Sequence, residues 1–174
     1  MSSAKWSRGQ VELKLTLWDN QAQSMRSDEL YARLLRLGLP ENIVSMLHDL
    51  ILKVERVGRK VIAIGKIILM KLLEFLEKNL GLVAGIGIGA LLSSALVTLM
   101  GSVPIVGALL LPIAKAMGIV ITATGAVLGK KVDTIVPDLG KTLLDIAKDF
   151  FQLLVDIFKA MVQPEVNPFY STGM

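Results

Sequence analysis

The chain has 174 residues, 53% of them apolar and 20% charged, against about 45–50% and about 25% in an average soluble domain; this length suits one domain. It has no cysteine, which excludes disulfides and thiolate metal sites. Its formal net charge of +4 is too small to demand nucleic acid, and none is expected as a partner.

Residues 1–26 read as an N-terminal arm or strand. The opening MSSAKWSRGQVELKL lacks the apolar core of a signal peptide, so secretion by a cleaved signal is not expected. Val11, Leu13, Leu15 and Leu17 alternate with Glu12, Lys14, Thr16 and Trp18, which is the period of a half-buried strand. A lone strand cannot satisfy its ladder, so this one would need a copy or a partner's edge. An extended arm or a short amphipathic helix are the alternatives.

Residues 27–80 predict a short capped helix followed by a long one. Ser27 before Asp28 and Glu29 suits a helix start, and Leu30, Leu34, Leu35 and Leu37 give an apolar side. Gly38 suits the helix end, with Pro40 opening the next helix. That helix is expected from about Pro40 to Asn79. Ile43, Leu47, Leu50, Val54, Val57, Val61, Ile64 and Ile68 form a heptad seam, the mark of a helical partner, either another subunit or the C-terminal helix of the same chain. Lys53, Arg56, Arg59 and Lys60 lie off the seam and form a basic flank suited to anionic headgroups. Beyond Val61 the pattern is apolar nearly all round, broken by Lys66, Lys71 and Glu74. It reads as a helix entering a membrane interface, with a third membrane span as the alternative.

Residues 81–129 read as a hydrophobic membrane hairpin. Leu80 to Ala114 is uncharged, and Ala116 to Gly129 follows after the single Lys115. An apolar run beyond about 18 residues is a membrane-span candidate. Gly101, Ser102 and Pro104 mark one break and Pro112 a second. A first arm from Gly81 to about Gly101 would cover roughly 30 Å, the thickness of a hydrocarbon core. Lys71 and Lys78 precede the hairpin, and Lys130 and Lys131 follow it, so cations expected to meet lipid headgroups flank both feet. By the positive-inside rule both termini would face the cytoplasm. Gly81, Gly85, Gly89 and Ser93 make one row of small residues, and Ala114, Gly118, Thr122 and Ala126 another. Such rows let helix backbones approach closely in lipid. Lys115 would sit near the hairpin tip if the second arm begins at Pro112, the preferred reading. It would sit near mid-depth if the arm begins at Pro104, where a ring of such lysines would favour anions.

Residues 130–163 predict a C-terminal amphipathic helix from about Asp138 to Val162. Asp138, Lys141, Asp145, Lys148, Asp149, Gln152, Asp156 and Lys159 form its polar stripe. Residues 164–174, with two prolines, are expected to be irregular.

Catalysis leaves no signature. His48 is the only histidine and has no triad around it, and no carboxylate or histidine cluster suggests a metal. The G-x-G-x-x-A of Gly85, Gly87 and Ala90 follows a helical run and lacks the strand that a dinucleotide site needs. No cofactor is expected.

The expected fold is therefore an all-α membrane protein: a long amphipathic helix, a proline-broken apolar helical hairpin and a C-terminal amphipathic helix, with a short N-terminal strand or arm. This layout resembles the hairpins of pore-forming colicin-type domains and of lipid-droplet oleosins, in architecture and not in any aligned motif. The leading expectation is a non-enzymatic protein that inserts into anionic membranes, self-assembles and forms or lines a pore. A structural membrane scaffold without conduction is the alternative. A third reading keeps the hairpin buried in a soluble protein until activation.

Overall fold

The computed structural model describes residues 6–82, 87–119 and 137–162, and over these the chain is mostly helical. The helices are α1 (Arg8–Gln23), α2 (Ser27–Arg36), α3 (Glu41–His48), α4 (Ile64–Lys78), α5 (Ile88–Met100), α6 (Pro104–Ala116) and α7 (Pro137–Val162). A 3-10 turn, Asp49–Leu52, follows α3 and leads into a small antiparallel hairpin of β1 (Glu55–Val57) and β2 (Lys60–Ile62).

The N-terminal segment is a helix, not the expected strand or arm. Ser7 and Gln10 close a reciprocal capping box at its start. Val11, Leu15, Trp18 and Ala22 are buried, at the spacing of one helix face. The alternation that suggested a strand leaves Leu13 and Leu17 on the outside. A helix satisfies its own backbone, which a strand without a partner cannot do.

The long heptad helix expected from Pro40 to Asn79 is also corrected. After Leu52 the chain turns back through Gly58 (φ 62°) between Val57 and Lys60, which face each other in the ladder. Positive φ at the first central residue alone is the requirement of a type II′ hairpin turn, which glycine meets. The seam thus folds onto itself. Ile43, Leu47 and Leu50 are buried on one limb and Ile64 and Ile68 on the other, with Val57 turned inward between them. Val54 and Val61 are left on the surface.

Gly65 makes this return possible. Its N–H donates to the Lys53 carbonyl at 3.0 Å. A Cβ built there would overlap the Leu50 carbonyl oxygen and lie 2.8 Å from Lys53 Cβ. Only a residue without a side chain lets α4 start against the 3-10 turn.

The inner pair of the bundle is α4 and α5. Helix α4 packs against α1, α2 and the 3-10 turn, and it touches α5. Helix α5 lies chiefly against α7 and α6, α7 reaches across to α1, and α3 covers part of α6.

Candidate functional site: an apolar hairpin inside a helical sheath

The hairpin is formed by α5 and α6, joined at Gly101–Val103. On α5, Leu91, Leu92, Ser94, Ala95, Leu96 and Leu99 are all fully buried. The Ser94 hydroxyl donates to the Leu91 carbonyl at 2.7 Å, and that of Thr98 to the Ser94 carbonyl at 3.0 Å. Both bonds stay within the helix, so among the described residues α5 spends neither hydroxyl on a neighbour.

Helix α6 begins at Pro104, where a proline suits the first turn, and Val106, Leu110, Ile113 and Ala114 face inward. Pro112 lies inside this helix and does not start it, against the preferred expectation. Pro112 and Ala108, four residues before it, are both exposed, so the carbonyl deprived of its partner lies on the open side. Lys115 accordingly stands in the last turn of α6, exposed, at the foot of the second arm and away from the Gly101–Val103 tip. A cation there complements the negative end of the helix dipole. Gly118 (φ 76°) ends the arm, with the Ile119 N–H donating to the Ala114 carbonyl at 3.0 Å.

The small-residue rows are described only in part. Gly118 terminates α6 and extends no row. Side chains placed at Gly81 or Gly89 would meet nothing within 4 Å among the described residues. Ser93 is half-buried and Ala114 fully buried. Gly85, Thr122, Ala126, Lys130, Lys131 and the tail 164–174 lie outside the described residues.

The sheath is amphipathic. On α7, Leu143, Ala147, Phe151, Leu154, Ile157 and Phe158 point inward, while Asp145, Lys148, Asp149, Gln152 and Lys159 are exposed. Phe75 of α4 meets Phe150 and Phe151 with ring centroids 5.3 and 5.2 Å apart, so the two helices close over the hairpin through aromatic contacts.

Directional contacts gather on α4. Arg33 of α2 holds Glu77 through two parallel bonds, Nε to Oε2 at 3.0 Å and Nη2 to Oε1 at 2.5 Å. The bond from Glu77 raises the Arg33 pKa above its ordinary value, against the opposing effect of burial. Lys71 and Lys78, assigned from sequence to headgroups, lie over aromatic rings. The Lys71 ammonium is 5.3 Å from the Trp18 ring centre, and that of Lys78 is 5.7 Å from that of Phe150. The Ala63 N–H donates to Asp19 at 2.8 Å, which fixes the start of α4 on α1.

His48 joins α3 to α2. Its Nε2 lies 2.9 Å from both the Ser27 hydroxyl and the Ser27 carbonyl. The carbonyl only accepts and the hydroxyl can do either, so a proton on Nε2 would serve the carbonyl and a bare Nε2 the hydroxyl. Ser27 therefore lies inside α2 and does not serve as its side-chain cap.

Lys53, Arg56, Arg59 and Lys60 are exposed on and beside the β1–β2 hairpin. Sequence reasoning missed that hairpin, Gly65 and the Arg33–Glu77 pair. The hairpin had a signal in VERVGRKVI, where the Gly-Arg pair Gly58–Arg59 separates two short runs that hold Val54, Val57, Val61 and Ile62. The other two depend on residues distant in the chain and had none.

Among the described residues, no helix is long and apolar enough to cross a membrane. The arms α5 and α6 have 13 residues each, or about 20 Å at the helical rise. No family model, curated protein or solved structure matches the chain.

Proposed function

We propose that this is a non-enzymatic, membrane-active helical protein that carries its apolar hairpin within a sheath of amphipathic helices and transfers it to a bilayer. There it self-assembles and forms or lines a pore. The observation that carries this reading is the state of α5. It is uncharged and central, and its buried hydroxyl bonds only to its own backbone. Such a helix is as well satisfied in hydrocarbon as in protein, because lipid needs only that backbone and hydroxyl groups be paired internally.

Insertion asks for longer arms than the folded state has. A helix continued from Met100 back to Gly81 would reach roughly 30 Å. Helix α7 and the apolar face of α4, uncovered by the hairpin's departure, would then lie in the interface. Inserted this way, the hairpin leaves both chain ends on one face, the cytoplasmic one by the positive-inside rule. Gly81, Gly85 and Gly89 would then be available for close packing between copies. Lys115 would set a positive ring near the end of the second arm.

The test is dye release from vesicles with 30% anionic lipid, followed by carbonate extraction. Release together with carbonate-resistant protein is expected. Insertion without release favours the scaffold reading. Protein that stays soluble and releases nothing overturns the membrane reading. If planar bilayers conduct, Lys115→Glu is expected to move ion preference from anions toward cations.

A further inference from the structure

The β1–β2 hairpin sorts its residues between two faces. Val57 and Ile62 turn into the core, while Arg56 and Val61, opposite each other in the ladder, turn out. Val54 shares the outward side with Arg56, two residues on. Val54 is 58% exposed, Val61 55%, and Leu52 at the end of the 3-10 turn 73%. Three apolar side chains thus stand in water beside Lys53, Arg56 and the turn residue Arg59, all exposed. Among the described residues, none of these three cations forms an ion pair.

The knuckle is held in place. Lys60 Nζ donates to the Thr16 hydroxyl at 3.1 Å, and the Ala63 N–H donates to Asp19 at 2.8 Å, so the hairpin lies along α1. Leu13, one turn before Thr16 on α1, is exposed as well. The same chain reversal that broke the heptad seam therefore gathered its two unburied valines and the basic flank at one rigid corner.

We propose that this corner is the docking point of the folded protein on an anionic lipid surface, with Leu52, Val54 and Val61 entering the interface and Lys53, Arg56 and Arg59 on the headgroups. This rests on the membrane reading above and adds the first step, contact before the hairpin leaves its sheath. Charge complementarity selects the occupant. A second copy related by a two-fold axis would set these cations against themselves. Nucleic acid would match the charge but would leave the aliphatic side chains without a role, since bases are met by aromatic stacking. A bilayer interface takes both, because cations meet headgroups while aliphatic chains enter just below them.

The test uses the full chain and sedimentation with vesicles of neutral lipid alone or with 30% phosphatidylserine, at short times in the cold. Each cation near an anionic surface contributes about fivefold in partition. Lys53→Gln with Arg56→Gln and Arg59→Gln is expected to lower partition to anionic vesicles about a hundredfold. Leu52→Ser with Val54→Thr and Val61→Thr is expected to lower it to a lesser degree, with helix content and thermal midpoint retained in both. Neutralising Arg36, Lys148 and Lys159 instead, the same charge elsewhere, is expected to cost less than tenfold. Equal losses from the two cation sets would overturn the proposal, as would unchanged binding in the hairpin variants. So would equal binding to neutral vesicles, or a loss of self-association in place of vesicle binding. Dye release separates the two levels. Binding through the corner without release leaves docking standing and removes the pore, whereas release that ignores the hairpin variants does the reverse.

Discussion

Helices α4 and α5 are both largely apolar and lie side by side at the centre of the bundle, yet they are held there differently. Helix α4 is fixed at both ends. Gly65 sits against the Leu50 backbone and Asp19 takes the Ala63 N–H at one end, while Arg33 grips Glu77 at the other. Lys71 over Trp18 adds a contact between them. Among the described residues, helix α5 has no such attachment, and its hydroxyl bonds stay within the helix. Directional contacts specify a place, whereas the hydrophobic effect rewards only removal from water. Among the described residues, the first helix is placed by directional contacts and the second by apolar packing against its neighbours.

That contrast is open to test by substitution. The largest effect is expected at Gly65. Gly65→Ala forces a methyl group into the Leu50 carbonyl and Lys53 Cβ, neither of them a flexible chain end. A stability loss of about 3 kcal/mol is expected by urea unfolding, at the upper end of overpacking penalties. A loss below about 0.5 kcal/mol would show that the joint yields and that α4 is no better fixed than α5.

A double-mutant cycle on Arg33→Ala and Glu77→Ala is expected to give a coupling of about 1 kcal/mol, since the pair is only partly shielded from solvent. The raised Arg33 pKa sets the pH dependence. A base raised on folding stabilises fully below its unfolded pKa, and loses this as pH rises through the folded one. Both lie far above neutrality, so Arg33 titration is expected to add no slope to stability between about pH 6 and pH 9, where arginine is fully charged folded or unfolded. A coupling near zero would reduce the clasp to a surface ion pair.

The smallest effect is expected from Ser94→Ala. Although fully buried, this hydroxyl serves only its own helix. Stability is expected to change by less than about 0.5 kcal/mol, because donor and desolvation cost leave together. A loss above about 1 kcal/mol would reveal a partner on another helix, and α5 would then be placed directionally after all.

Residue pattern alone determined the helical character, the extent of the C-terminal helix with Asp145, Lys148, Asp149, Gln152 and Lys159 outward, and the break that ends the first apolar arm at Gly101. These are local properties: periodicity, proline and charge act within a few residues. Tertiary structure decided the rest. Val11 to Trp18 satisfies both a period of two and a helical period. The tie was broken by the buried face that Val11, Leu15, Trp18 and Ala22 present to α4 and α7. The heptad seam ran unbroken through Val54, Val57 and Val61, yet one positive-φ glycine at Gly58 and one close approach at Gly65 folded it back on itself. Whether an apolar helix is surrounded by lipid or by protein is likewise invisible in its own residues. It depends on whether distant amphipathic faces, here those of α7 and α4, are free to cover it, because the hydrophobic effect has no direction and names no partner.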